Sequence, residues 1–361
     1  MAVISFKCPN CDGELVFEPS TQKYECPYCG SDFTQEQMDE IQNNTQPSQE
    51  TGAAGFDERQ GEEEQEIQGE TQKAVVYTCP SCGAEIVTDE TTAATYCYYC
   101  HNPVVLSGRV SGEFLPKWIL PFSVDRKKAE SMFLENVSKK KFVPKGFFNK
   151  KQIELLSGVY FPYWLVNWSG QARMQAKATK VRVWRRGDTE YTETRYYDLY
   201  REGNLEFPGI SRNALKKANK KLVEGVQPYN MEEAKKFSMG YLSGFQAEKR
   251  DMEQEEFCQG IQEDVKDYAE KMLRGTVDGY TTVNTVDSQI RTVKEDWEYA
   301  MVPAWVVTYK GNDGKTYYYA INGQTGKVCG ELPLEKKKLA QVSGIIFLVV
   351  FLLGLAGGFL I

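Results

Sequence analysis

Apolar and polar positions alternate most strictly between Gln171 and Arg186, where Ala172, Met174, Ala176 and Ala178 interleave with Arg173, Gln175, Lys177 and Thr179. A period of two predicts a strand with one buried face. Gly187-Asp188 predicts a turn, and Thr189–Arg201, carrying Tyr191, Tyr196, Tyr197 and Tyr200, the returning strand. Val159–Val166 reads as the start of the first strand. Leu115–Phe122, punctuated by Pro116 and Pro121, reads as an extended segment. Behind Asp125, a ready N-cap, the spacing of Ala129, Met132, Phe133 and Val137 predicts a helix to about Lys140. Further helices are expected around 211–224, 231–243 and 246–274. The last has Phe257, Ile261, Val265, Tyr268 and Met272 as its apolar stripe. Strand-like sequence resumes at Tyr280 and passes through Val302–Val307. It ends in a hairpin of Tyr317–Ile321 and Lys327-Val328 about an Asn322–Gly326 turn. Pro162-x-Trp164-x-Val166 recurs 141 positions later as Pro303-x-Trp305-x-Val307, an echo that chance also explains. Residues 107–333 therefore read as an α+β domain of antiparallel sheet and helices.

Two stretches break this pattern. Val342–Ile361 is uncharged, with Ser343 its one polar side chain, and its 20 residues make a helix of about 30 Å, the thickness of a bilayer core. It is read as a transmembrane helix entered from a basic juxtamembrane segment, 334–341, that holds Lys336, Lys337 and Lys338. Flanking lysines stay on the cytoplasmic side. The expected location is therefore the cell membrane, single-pass, with the N-terminal bulk in the cytoplasm. Gly354 and Gly358 form a small-residue motif through which two such helices can dimerise. The other stretch, 35–73, holds eleven Asp/Glu against Arg59 and Lys73 and one aromatic, Phe56. It reads as an acidic disordered linker.

The chemistry-bearing pattern flanks that linker. Cys8-Pro9-Asn10-Cys11 is followed after fourteen residues by Cys26-Pro27-Tyr28-Cys29. Cys79, Cys82, Cys97 and Cys100 repeat the arrangement 71 positions later. Two residues between paired cysteines let both thiolates of a tight turn face one ion, and two such turns close a tetrahedral, structural site. The N-terminus has no apolar leader segment, so the thiols are expected to stay reduced, and disulfides are disfavoured. Residues 1–34 and 74–106 are thus read as two zinc ribbons. They would bind two structural Zn2+ per chain through Cys8, Cys11, Cys26 and Cys29 and through Cys79, Cys82, Cys97 and Cys100.

Charge and composition narrow the function. The net charge of −7 falls mainly on the acidic linker. His101 is the single histidine, which excludes His-dependent triads and HExxH metalloproteases, and no phosphate-binding or nucleophile-elbow motif is present. Cys258 and Cys329 read as ordinary small side chains. Lys180–Arg186 mixes basic and aromatic residues as single-strand binders do, although Glu190 and Glu193 on the return strand can pair with those arginines. Lys216, Lys217, Lys220 and Lys221 form a second basic cluster, read as a solvated helix face or a surface for anionic lipid.

The cysteine turns resemble transcription-factor-IIB-type zinc ribbons. Together with Gly158–Trp164, Tyr241–Glu248 and Asn322–Lys327, they resemble an uncharacterised bacterial family of ribbon-bearing membrane proteins, sometimes labelled primosomal helicase by ribbon similarity. The resemblance implies metal binding and a membrane anchor and supplies no activity; no helicase motif stands in this chain. Asp12, Tyr98 and His101 depart from the family's CPxCG turn. The expectation is a non-enzymatic, membrane-anchored cytosolic adaptor that binds a partner, a protein by preference. The alternative is a membrane-tethered nucleic-acid-binding protein.

Overall fold

The computed structural model describes residues 3–45, 75–83, 85–97, 101–144, 156–310 and 315–358. Along the chain, β1 (Val3–Ile4), β2 (Val16–Glu18), β3 (Lys23–Glu25) and β4 (Asp32–Phe33) precede α1 (Gln35–Thr45). Then come β5 (Val75–Thr78), β6 (Glu85–Thr88), β7 (Thr92–Tyr96), β8 (Pro103–Leu106), β9 (Trp118–Ile119) and α2 (Arg126–Ser138). The long strands β10 (Ser157–Arg186) and β11 (Thr189–Asn213) lead to α3 (Lys220–Gly225), β12 (Lys235–Lys236), β13 (Gln246–Glu248) and α4 (Glu255–Gly275). The chain closes with β14 (Thr282–Lys310), β15 (Thr316–Asn322), β16 (Val328–Gly330) and α5 (Lys336–Gly358).

These elements form two compact units, one of residues 1–161, 217–249 and 301–361, the other of 162–216 and 250–300. The α+β region 107–333 is therefore divided between both, because β10 and β14 are long enough to contribute to each. The main sheet is hydrogen-bonded in the order β1-β8-β7-β13-β10-β14-β15-β16 and is mixed, since β10 and β13 run parallel while β7 and β8 are antiparallel.

In the first unit the core is aromatic. Phe122 stacks on Phe245 at 4.3 Å and meets Tyr160 edge-on at 5.0 Å, a geometry that favours the ring quadrupoles. Asp125 caps α2 by accepting from the Lys128 amide at 2.8 Å, and Ala129, Phe133 and Val137 are buried on the expected stripe. Asn322 is fully buried and fully bonded. Its Nδ2 donates to the Val226 and Pro228 carbonyls, while its Oδ1 accepts from the Gln324 and Thr325 amides at 2.9 Å.

The second unit is a hairpin of β10 and β11 with β14 beside it and α4 on one face. Pairing runs from Tyr163 with Asn213 to Arg186 with Thr189, and Gly187 takes φ 63° in the turn, a value a side chain disfavours. Ala172, Met174, Ala176 and Ala178 are buried against Ala269 and Leu273, as the period of two predicts. The α4 stripe is corrected in its second half: Ile261, Val265, Ala269 and Leu273 are buried, whereas Tyr268 and Met272 are exposed. The buried row runs in steps of four, the i, i+4 ridge along which a helix packs. The helices expected around 211–224, 231–243 and 246–274 shrink to α3 and α4. Residues up to Asn213 instead extend β11, and Gln246–Glu248 is strand β13. Pairing with β10 overrides local propensity there. The two Pro-x-Trp-x-Val motifs lie in β10 and β14. Both tryptophans are buried, with their indole N–H groups bonded to the carbonyls of Met252 and Val124.

Residues 35–45 form α1, so the stretch read as a disordered linker begins with a helix; its remainder, 46–73, lies outside the described residues. Met38 is buried and Gln35 bonds Ser238 at 3.1 Å, which holds that helix on the first unit. α5 starts at Lys336, before the expected span, and its apolar side chains from Ile345 to Leu353 are exposed, making it one candidate membrane-spanning helix.

Candidate metal centres

The cysteine turns are built alike. In each, the amide four residues beyond the leading cysteine donates to that cysteine's carbonyl: Asp12 to Cys8, Gly30 to Cys26, Gly83 to Cys79 and His101 to Cys97, at 2.8–2.9 Å. The donor residue adopts φ 62°, 72°, 75° and 59° respectively. Glycine enters this left-handed region freely, and Asp12 and His101 enter it at a cost. The departures from the CPxCG turn at Asp12 and His101 are therefore substitutions at the left-handed position. His101 is exposed.

The turns bring Cys8, Cys11, Cys26 and Cys29 together, with all four sulfurs within 4.8 Å of one another. Cys11 and Cys26 Sγ are 3.4 Å apart, and Cys8 and Cys29 Sγ 3.6 Å. A bond of about 2.3 Å from sulfur to zinc sets a tetrahedral edge of about 3.8 Å, close to these separations, whereas a disulfide requires about 2.05 Å. The leading cysteine of each pair is buried and the second exposed. In the second cluster Cys79, Cys82 and Cys97 meet the same criterion, with Cys82 and Cys97 Sγ 3.7 Å apart; Cys100 lies outside the described residues. Both clusters can hold a metal ion. Protons divide unevenly over the first set: bonds with the Ser31 hydroxyl and amide hold Cys29 down to about 6. Cys11, which the Gly13 amide lowers, is driven up to about 12 by its neighbouring sulfurs. A central cation is the charge that lets all four be thiolates together.

The clusters are anchored in the first unit. Phe17 and Tyr24, from β2 and β3, meet Tyr241 at ring separations of 5.1 and 6.3 Å. Ser243 Oγ donates to the Leu15 carbonyl at 2.5 Å, and the Phe17 amide donates to Ser243 O at 3.1 Å. In the second cysteine segment, β7, which runs between Cys82 and Cys97, and β8, which follows, join the main sheet, where β8 also pairs with β1 from the first cysteine segment. A direct bridge links the two: Ser81 Oγ donates to buried Glu14 at 2.6 Å, and Lys7 pairs with the same carboxylate at 3.4 Å. The loop after β6 is fixed by Lys217, 2.6 Å from Asp89 and 2.9 Å from Glu248. Although burial opposes it, hydrogen bonding to Lys217 keeps the Asp89 carboxyl well below its usual range, and the two carboxylates raise Lys217. Tyr241 and Ser243 carry no ligand chemistry or periodicity; only their place in a family-like run, Tyr241–Glu248, marked them.

The remaining candidates are placed as follows. Cys258 Sγ donates to the Gln254 carbonyl, and burial raises its thiol, which does not favour a nucleophile. The lysine cluster at 216–221 is neutralised: Lys216 pairs with Glu256, Lys217 as above, Lys220 with Glu224 and Lys221 with Glu331. In the exposed end of the β10–β11 hairpin, Trp184 stacks on Tyr191 at 5.6 Å with Arg182 over its ring, and Arg185 pairs with Glu190 at 2.9 Å. Glu193 pairs with Arg195.

Among the described residues, the fold and its cysteines define a sheet-rich protein with two potential metal clusters and one candidate membrane helix. The chain belongs to the family of the "Uncharacterized protein YdjG" of Bacillus subtilis (strain 168), with which it is 31% identical over 363 residues, covering 99% of this chain and 100% of that protein. No protein-family model matches it, and no solved structure matches it.

Proposed function

We propose that the protein is a membrane-anchored cytosolic zinc-binding adaptor, without catalysis of its own, that presents its ribbons and sheet to a partner protein. The observation that carries this reading is the sulfur geometry: four thiols at tetrahedral-edge separations leave no open position for a substrate. A thiolate set of this softness suits zinc, two ions per chain, with Cys100 as the fourth ligand of the second. α5 serves as the anchor, with Lys336–Lys338 on the cytosolic side, and Gly354, which faces open space, suits a helix dimer with Gly358. The acidic stretch beside the ribbons repels phosphate and favours a protein partner.

Elemental analysis of protein purified without chelator should give two zinc ions per chain; one or none refutes the cofactor reading. Carbonate extraction should leave the chain in the membrane, and protease should cut the ribbons only from the cytosolic face. In-cell crosslinking then identifies the partner. The second reading, nucleic-acid binding, is favoured by the exposed basic and aromatic hairpin end at Arg182–Tyr191. Salt-sensitive retention of DNA or RNA would support it, and no retention at low salt would remove it.

A further inference from the structure

The lysines beside α5 are not alone. The Glu335 amide donates to the Phe142 carbonyl at 2.8 Å, and Val143 and Pro333 are buried, so two segments far apart in sequence are clamped together. One carries Lys139, Lys140 and Lys141 as the chain leaves α2, and the other carries Lys336, Lys337 and Lys338 as it enters α5. Lys139 pairs with exposed Glu135 at 2.7 Å and Lys338 approaches Glu335 at 3.8 Å. Among the described residues no carboxylate lies within ion-pair reach of Lys140, Lys141, Lys336 or Lys337, all of which are exposed. The first triplet follows a helix C-terminus, which favours cations. The second occupies a helix's first turn, where the dipole opposes them, so it calls for an outside counter-charge.

We propose that these six lysines form a collar that docks the first unit on the anionic phospholipid headgroups of the leaflet α5 enters. The proposal rests on reading α5 as a membrane anchor. The occupant follows from continuity and charge: the collar stands at the foot of a helix whose apolar side chains are exposed, and the nearest dense anion there is the lipid phosphate. Long aliphatic stems let the ammonium groups reach the headgroups from a short distance. The other basic cluster, at 216–221, is spent on internal carboxylates and does not compete for this role.

The full chain is reconstituted into vesicles of phosphatidylcholine, with or without phosphatidylglycerol, and its lysines are labelled with an amine reagent read by mass spectrometry. Labelling of Lys140, Lys141, Lys336 and Lys337 should fall about fivefold in the anionic vesicles, the scale of attraction of one lysine to a charged surface. Exposed Lys127 and Lys128 should label equally in both. High salt should erase the difference. The triple variant Lys139→Gln, Lys140→Gln, Lys141→Gln should remain carbonate-resistant while Lys336 and Lys337 lose much of their protection. Equal labelling of Lys140 and Lys141 in both vesicles overturns the collar, as does protection of the α5 triplet alone. Protection by inorganic phosphate in neutral vesicles would assign the site to a soluble anion and overturn the lipid reading. Release of the unaltered chain by carbonate would instead overturn the anchor.

Discussion

Replacing Cys11 by serine separates the metal's contribution from that of packing, because Cys11 is exposed and its loss leaves no core cavity. On the proposed loading of one zinc per cluster, one thiolate of four is removed and that cluster's ion should be lost; binding of a structural zinc contributes on the order of 10 kcal/mol to a small domain. The strands of the first cysteine segment are short, so β2 and β3 should then release Phe17 and Tyr24 from Tyr241. Burial of one aromatic ring at about 1.5–3 kcal/mol, with about 0.5–1.5 kcal/mol for each of two ring pairs, places the local loss at ~4 kcal/mol. Hydrogen exchange should report it at the Tyr241, Ser243 and Phe245 amides, which should exchange roughly a thousandfold faster at about 1.4 kcal/mol per decade. Amides of α4 should be unchanged. The second ion should stay, while the Gly83 amide exchanges up to about tenfold faster, because Ser81 loses its hydrogen bond to Glu14, a contact of about 1 kcal/mol. Loss of one ion without faster exchange at 241–245 would refute the reasoning, and loss of both ions would show a tighter linkage than one side-chain bridge supplies.

Further outcomes are expected elsewhere. His101→Gly relieves a left-handed side chain, so it should leave the metal count unchanged and raise stability by up to about 1 kcal/mol in a denaturant melt; a lost ion would make His101 a ligand. Asn322→Ala should cost about 3 kcal/mol by thermal melt, since two carbonyls and two amides lose a buried partner. Lys217→Met should cost roughly 2 kcal/mol at neutral pH, because two part-buried carboxylates lose their counter-charge. Asp89's lowered pKa makes its share of that stability full above the ordinary aspartate range and lost as pH falls through the depressed value, so the gap between variant and parent should close in strong acid.

Features that depend on neighbours along the chain are legible from the residues alone. Paired cysteines with two residues between them fix a turn whose sulfurs share a side, and that local geometry needs no tertiary context. Likewise, the alternation at Ala172–Ala178, the Asp125 cap and the Gly187 turn are set by backbone periodicity and φ preferences, and each stands as expected. The uncharged run entering α5 is equally local. What these pieces rest on is set by long-range packing. Tyr241 and Ser243 hold the first cluster, Glu14 and Ser81 join the two, and Phe142 brings Lys139–Lys141 to the foot of α5. Each of these contacts joins residues tens to hundreds of positions apart, for which a single chain carries no periodic signal. The same long-range pairing turned residues 211–213 and 246–248 into strands and moved the buried row of α4 from Tyr268 to Ala269. A sheet partner supplies more free energy than the local helical preference it displaces.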